Sequence, residues 1–396
     1  MSRLEARRIR LLSGAAYAGM FVFGIVMALL GAILPSLSAR LHFETAAIGT
    51  LFLAMNGGML AASLVLGLVM DRFGMKFPLA AGALLAACTL LLLAGATSFA
   101  SLFPPLFLLG IGGAALNGST NTLVADLHED DRRKSAALNR LGVFFGFGAL
   151  FLPFAIGALL TVSSIQAILA ATAGLCGAAG IYPIVLRFPA PKQRNALPVA
   201  DMARFVRSPL VLCFAALLFL ESGAEFTLGG FISVYLARDM AIAALSKVSW
   251  ILAGYWASIM LARAVLSRLS MGLAPYRTLL LCACGAAAGA LLAAVAPGPG
   301  MAAAGIVLCG WSLAGIYPTA LGIAGTRFQA HSGSVFGILF AVALAGGITL
   351  PWAAGHIGGA IGLRWVLGLM AIAFAGIAGL SRLAASCDRE RAEART

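Results

Sequence analysis

The sequence predicts an all-α membrane protein with twelve transmembrane helices in two pseudo-symmetric six-helix bundles. Apolar residues occupy 61% of the 396 positions and charged residues only 10%, and the mean hydropathy is +1.00. No soluble domain needs so much apolar surface, and one bilayer span needs about 20 apolar residues. Twelve such segments fit, at 13–36, 46–70, 77–98, 101–125, 138–161, 164–187, 208–236, 247–270, 277–296, 300–325, 332–357 and 360–384.

The distribution of basic residues predicts the orientation of these spans. When the N-terminus is placed in the cytoplasm, 23 of the 27 Lys and Arg residues fall in inside loops and tails. This bias matches the positive-inside rule, so we expect both termini to be cytoplasmic and the location to be a bacterial inner membrane. The net charge of +13 is therefore explained by topology and does not indicate nucleic-acid binding. The basic, then apolar, N-terminus is interpreted as the first span because its apolar run is too long for a signal peptide.

An internal repeat supports the two bundles. The segments GALFLPFAIG at 148–157 and GGITLPWAAG at 346–355 share Gly, Leu-Pro, Ala and Gly at an offset of 198, half the chain length. Arg40 and Arg238 differ by the same offset. We therefore predict an N-terminal bundle at 1–187, a basic cytoplasmic linker at 188–207 and a C-terminal bundle with its tail at 208–396. Transporters built from such repeats hold their substrate near the bilayer midplane.

Two acidic residues lie inside the apolar spans, and the other twelve lie in the gaps or at the ends. Glu221 and Glu225 are spaced i and i+4, so they share one face of the seventh helix. A carboxylate inside a bilayer is costly and usually marks a transport path. Two carboxylates this close cannot both ionise easily, which suits proton coupling. We expect Glu225 to carry the proton and Glu221 to share substrate contact.

A structural role is the alternative for each acid. One glutamate could be a buried acceptor that a Tyr, Trp or Ser of a neighbouring helix satisfies. Gly223, Gly229 and Gly230 flank the acids, and we expect them to let the seventh helix bend or unwind there.

The segment GLVMDRFGMK closes the second span. It closely resembles the G-x-x-x-D-R-x-G-x-[RK] signature of the major facilitator superfamily, in which the motif gates the inward face. The resemblance implies gating roles for the residues of the motif. We also expect an ion pair between the fourth and fifth spans, which is either a cytoplasmic gate or a structural contact. In the motif, we expect Gly67 to permit close helix approach and Gly74 to form a tight turn. We expect Asp71 and Arg72 to bridge to neighbouring helices. The gating candidates are Gly67, Asp71, Arg72, Gly74, Lys76, Asp126 and Arg140.

A narrower resemblance covers most of the chain. LNGSTN in the fourth span, LNRLGVFFGFGALFLP in the fifth, G-x-E-x-x-x-G-G in the seventh and GIYPTALGIAG in the tenth are together similar to the fucose–galactose–glucose:proton symporter family. This resemblance implies import of a hexose or related polar solute together with a proton. The chain departs from that family at Asn117, where relatives carry a carboxylate, and in the first span, which has no acid.

Substrate-binding candidates come from polar and aromatic residues in the spans. Two asparagines one turn apart on the fourth helix either bind substrate or hold a neighbouring helix. Indole and phenol rings in the eighth, tenth and eleventh spans could line a cavity and stack on a sugar or a lipophilic ring. The candidates are Asn117, Asn121, Tyr255, Trp311, Tyr317 and Trp352.

These patterns favour a proton-coupled importer of a sugar-like solute that works by alternating access. A proton-driven exporter of lipophilic compounds or drugs is the alternative, because the first span is apolar and the acids could attract cations. A receptor or scaffold without transport activity is a weaker alternative. The sequence has no HExxH or GxSxG motif that would indicate an enzyme, and no P-loop that would indicate an ATP-driven pump. We expect a monomer whose partners are a small-molecule substrate, protons and lipid, with no metal or other cofactor.

Overall fold

The computed structural model describes residues 3–127, 131–189, 208–269, 274–328 and 332–393. Within these ranges every regular element is a helix and no strand occurs. Twelve helical stretches are long and apolar enough to cross a bilayer. The all-α fold with twelve spans is therefore confirmed.

The first six spans are single helices, and the first and fifth begin ten and seven residues before their predicted apolar runs. A short 3₁₀ turn at Ala100–Leu102 leads into the fourth helix. The helices are α1 (Arg3–Leu41), α2 (Thr45–Phe73), α3 (Lys76–Ala94), α4 (Phe103–Asp126), α5 (Asp131–Leu159) and α6 (Ile165–Ile184).

The last six spans comprise seven helices, because the tenth span is broken after Leu313. Pro318 follows the break closely, and a proline disfavours helical backbone in the residues just before it. The helices are α7 (Pro209–Arg238), α8 (Leu245–Leu269), α9 (Pro275–Ala294), α10 (Pro299–Leu313), α11 (Ile316–Arg327), α12 (Ser332–Ile361) and α13 (Leu363–Glu393).

The chain divides into two compact units. The N-terminal unit contains Met1–Glu44, Thr50–Arg194 and Ala244–Ala253, and the C-terminal unit contains Thr45–Gly49, Asn195–Ala243 and Gly254–Thr396. Most of the expected linker, at 190–207, lies outside the described residues. The domain boundaries at 187 and 208 stay a prediction.

The two units repeat the same helix pairings, which confirms two six-helix bundles. In the N-terminal unit α1 packs on α5, and α3 packs on α4 and α6. In the C-terminal unit α7 packs on α12, and α9 packs on α10 and α13. The spans in each C-terminal pairing are numbered six higher than their counterparts in the N-terminal unit.

Glycines in the repeated segments set the same close approach in both units. A Cβ at Gly148 of α5 would run into the backbone carbonyl of Phe21 on α1. A Cβ at Gly346 of α12 would run into the carbonyl of Phe219 on α7. Both pairs differ by the repeat offset of 198, so the helices cross in the same register and only glycine fits there.

The first and seventh spans are the most enclosed of the twelve. In their most apolar windows, 83% of the residues of the first span and 72% of those of the seventh are buried. The two membrane acids therefore lie on the most enclosed helix of the C-terminal unit.

Candidate functional site

The helix that carries the two acids is continuous. Pro209 lies in its first turn, where the backbone N–H that proline lacks would have no acceptor within the helix. The helix is not unwound at the glycines, and Gly223 and Gly229 pack closely against neighbouring residues. A Cβ at Gly223 would lie 2.8 Å from the carbonyl oxygen of Gly346, and one at Gly229 would lie 3.2 Å from the Trp256 ring.

Glu221 is enclosed completely. Its exposed fraction is 0%, and neither carboxylate oxygen has a hydrogen-bond partner. The structural alternative required a Tyr, Trp or Ser hydrogen bond to the carboxylate, and no such bond reaches Glu221. Buried polar groups without partners are rare in folded proteins and call for an explanation.

Glu225 lies one turn further along α7 and is less enclosed. Its side chain is 13% exposed, and its Oε1 lies 4.0 Å from Nη2 of Arg263 on α8, whose side chain is 30% exposed. Arg263 lies beside Glu225 because α8 turns this face toward α7.

Two tyrosines complete the cluster. Tyr255 on α8 is fully buried, and its hydroxyl has no hydrogen-bond partner. It interacts electrostatically with both acids and with Arg263, as does Tyr317 on α11. The structure thus brings two of the predicted substrate-binding aromatics to the acids.

The arrangement combines two carboxyl groups, one guanidinium and two phenols in apolar surroundings. An ionised carboxylate without a partner is very costly there. The single cation can offset one carboxylate, so the cluster favours one proton on the acid pair. Such a cluster can bind or release a proton as its counter-ion changes.

The two predicted tryptophans are more exposed than the residues of this cluster. Trp311 on α10 and Trp352 on α12 are 43% and 44% exposed. Neither forms a hydrogen bond with the acids. The Trp352 ring packs on the His356 ring, with centroids 4.4 Å apart, and His356 Nδ1 lies 2.9 Å from the Trp352 carbonyl oxygen.

The paired asparagines of the N-terminal unit bond to each other. Nδ2 of Asn121 donates to the side-chain oxygen of Asn117 and to its carbonyl oxygen, both at 2.9 Å. These donors therefore do not hold a neighbouring helix. Asn117 is exposed on α4, so it stays a candidate for substrate contact.

Residues 16–240 of the chain match the family described as the Major Facilitator Superfamily. This match spans more than half of the chain. The chain belongs to the major facilitator superfamily. No match was found among curated proteins.

Solved structures of superfamily members share the fold. A point mutant of the nucleoside transporter NupG has a TM-score of 0.75 at 16% identity, with 95% of this chain and 99% of that chain covered. A point mutant of the fucose:proton symporter FucP of E. coli has a TM-score of 0.65 at 18% identity, covering 95% and 99%. An inward-facing bacterial homologue of the human lysosomal transporter Spinster reaches 0.75 at 13% identity, covering 98% of both chains. FucP supports the resemblance found in the sequence, but these identities establish the fold and not the substrate.

The superfamily motif between α2 and α3 shows its expected tight turn and a lysine contact that the sequence did not predict. Gly74 has φ 73° and ψ 177°, and its N–H donates to the carbonyl of Met70, which forms the tight turn. Nζ of Lys76 donates to the carbonyl of Leu186 at 3.1 Å, just past the end of α6. A lysine there is favourable because the carbonyl end of a helix is electronegative.

The other contacts expected of the motif are not seen among the described residues. A Cβ at Gly67 would find no atom within 4 Å, so this glycine does not permit a close helix contact. The guanidinium of Arg72 lies 5.5 Å from the centroid of its neighbour Phe73. Asp71 forms no ion pair within the described residues. The gating roles of these residues remain predictions.

The expected ion pair between α4 and α5 also remains a prediction. Asp126 ends α4, and Arg140 is exposed on α5. An ion pair that the sequence did not predict ties α11 to α13. Nη2 of Arg327 lies 2.8 Å from Oδ2 of Asp388, which is 7% exposed.

Proposed function

We propose that this protein is a secondary active transporter that takes up a small, polar, sugar-like solute together with protons by alternating access. Membership of the superfamily supports transport, because its solved members are carriers. The observation that carries proton coupling is the enclosed acid pair on α7.

Glu225 is the proton carrier in this proposal. Its side chain is partly exposed, and Arg263 stabilises the ionised form. Glu221 cannot ionise at the same time without an unpaired buried charge. The pair therefore holds at least one proton, and loss of the Arg263 contact adds a second.

Glu221 is assigned a supporting role rather than substrate contact. It has no exposed atom, so a solute cannot touch it in this conformation. Its uncharged form adds no second charge beside Glu225. Whether Glu225 keeps its proton therefore depends on its counter-ion, Arg263. Tyr255 supplies a nearby hydroxyl that can hydrogen-bond to either acid or to a solute.

The polar solute is supported by two structural relatives. One is a nucleoside transporter and another is a fucose:proton symporter, and both solutes carry several hydroxyl groups. The exposed amide of Asn117 is the kind of group that binds such hydroxyls.

Uptake into proteoliposomes tests this proposal. Labelled hexoses and nucleosides are offered under an imposed inward proton gradient. We expect accumulation of a solute by the natural protein. Glu225→Gln should abolish accumulation but leave exchange of solute across the membrane. Glu44→Gln is the control, because Glu44 is exposed between α1 and α2.

Full accumulation by Glu225→Gln would end the role of Glu225. Efflux of lipophilic dyes that depends on Glu225, without uptake of any polar solute, would instead identify an exporter.

A further inference from the structure

Arg263 supplies the positive charge of the cluster among the residues that the structure describes. Its guanidinium lies 4.0 Å from the Glu225 carboxylate, whereas a charge-assisted hydrogen bond spans about 2.7–2.9 Å. Both side chains keep an exposed fraction, 30% for Arg263 and 13% for Glu225. The pair is therefore loose and partly accessible.

We propose that the transported solute carries a carboxylate, as a sugar acid does, and that Arg263 binds this carboxylate in exchange for Glu225, which takes up a proton. This inference rests on the proposed function and names the substrate class of the same site.

Charge balance supports the exchange. With Glu221 uncharged, Arg263 and ionised Glu225 form a neutral pair. A solute carboxylate that binds Arg263 leaves Glu225 without a counter-ion in apolar surroundings, so Glu225 accepts a proton from water. One anion and one proton then enter the site together, and its net charge is unchanged. An uncharged sugar brings no group that can replace Glu225 at Arg263.

The geometry of an arginine suits this substrate class. A guanidinium offers parallel N–H donors that match both oxygens of a carboxylate, and it remains charged at any physiological pH. The Tyr255 hydroxyl, buried and without a partner, can donate one further hydrogen bond to an anion or to Glu225.

No other cation interacts electrostatically with this cluster among the described residues, so Arg263 is the group that an anion would bind. The titratable groups that interact here are Glu221, Glu225, Tyr255, Arg263 and Tyr317, with Cys309 beside Tyr255.

Calorimetry on the purified full-length chain tests the proposal. D-Glucuronate and D-gluconate are compared with D-glucose near pH 7, in two buffers that differ in ionisation enthalpy. We expect both acids to bind at least about tenfold more tightly than glucose, since a charge-assisted contact is worth that factor or more. Binding should take up about one proton per acid, because the folded protein gains one protonated carboxyl group.

Three variants separate the steps. Arg263→Gln should reduce the affinity for the acids relative to glucose by about tenfold or more. Glu225→Gln should still bind the acids but take up no proton. Arg263→Lys, which keeps the charge, should bind the acids more weakly than the natural protein and shows the effect should the Gln variant not fold. Arg277→Gln is the control, because Arg277 is exposed at the start of α9.

Equal affinity for glucose and glucuronate, or unchanged acid binding in Arg263→Gln, would overturn the proposal. Proton-driven uptake of a neutral solute through Glu225 would survive that result. Acid binding that needs Arg263 but takes up no proton in the natural protein would overturn the exchange. Accumulation that persists in Glu225→Gln would instead end the proposed function itself.

Discussion

Replacing Glu221 with Met tests whether its carboxyl group is truly without a partner. The side chain is 0% exposed, and both oxygens lack hydrogen bonds. A buried polar group in this condition costs about 1–3 kcal/mol. Met is unbranched and of similar length, so Glu221→Met removes the polar group without a large change of volume. We expect the free energy of unfolding to rise by about 1–3 kcal/mol.

Thermal unfolding followed by tryptophan fluorescence measures this effect in detergent. For a unit of this size, each kcal/mol moves the Tm by about 2–4 °C, so the expected rise is roughly 2–12 °C. Glu221→Gln keeps a polar group in place and should change Tm little. Glu44→Met is the matched control at an exposed position. A lower Tm for Glu221→Met would mean that the carboxyl group accepts a stabilising hydrogen bond, and the reasoning would be refuted.

Two glycine pairs test the packing in the same assay. Gly74→Ala should lower the free energy of unfolding by about 1–3 kcal/mol, because φ 73° with ψ 177° is open almost only to glycine. Gly67→Ala is the control and should be neutral or stabilising, because its Cβ meets open space. Equal losses of stability in the two variants would contradict this prediction. Gly346→Ala should lower the free energy of unfolding by about 1–3 kcal/mol because its Cβ meets the backbone of Phe219; Gly368→Ala, whose Cβ meets no atom, should not, and a stable Gly346→Ala would show that α7 and α12 can separate.

Hydropathy predicted the spans well but not where the helices end. The sequence placed the first span from 13 and the last to 384, whereas α1 begins at Arg3 and α13 ends at Glu393. Arg, Ala and Glu favour helix outside an apolar layer as well as inside it, and an apolar window does not detect this. The break after Leu313 was missed for a similar reason, although Gly315 and Pro318 beside it are helix-breaking signals.

The acid pair could be predicted from sequence, but its counter-ion could not. Glu221 and Glu225 are neighbours on one helix, so their spacing alone brings them together. Arg263 lies on another helix, and only tertiary packing determines which face α8 presents to α7. Tyr255 and Tyr317 were selected as cavity aromatics by composition, and packing brought them to the acids. The substrate contacts of Trp311 and Trp352 stay a prediction.

The repeated glycine contact allows equivalent positions in the two units to carry different side chains. At the repeat offset, Phe23 corresponds to Glu221, and its ring packs on Phe145 with centroids 5.5 Å apart. Gly148 and Gly346 fix the helix spacing through backbone contact alone. Side chains next to that contact can therefore be an aromatic pair in one unit and an acid in the other on the same backbone. For protein engineering, Phe23 is the position at which an acid introduced into the N-terminal unit would have the same backbone register as Glu221.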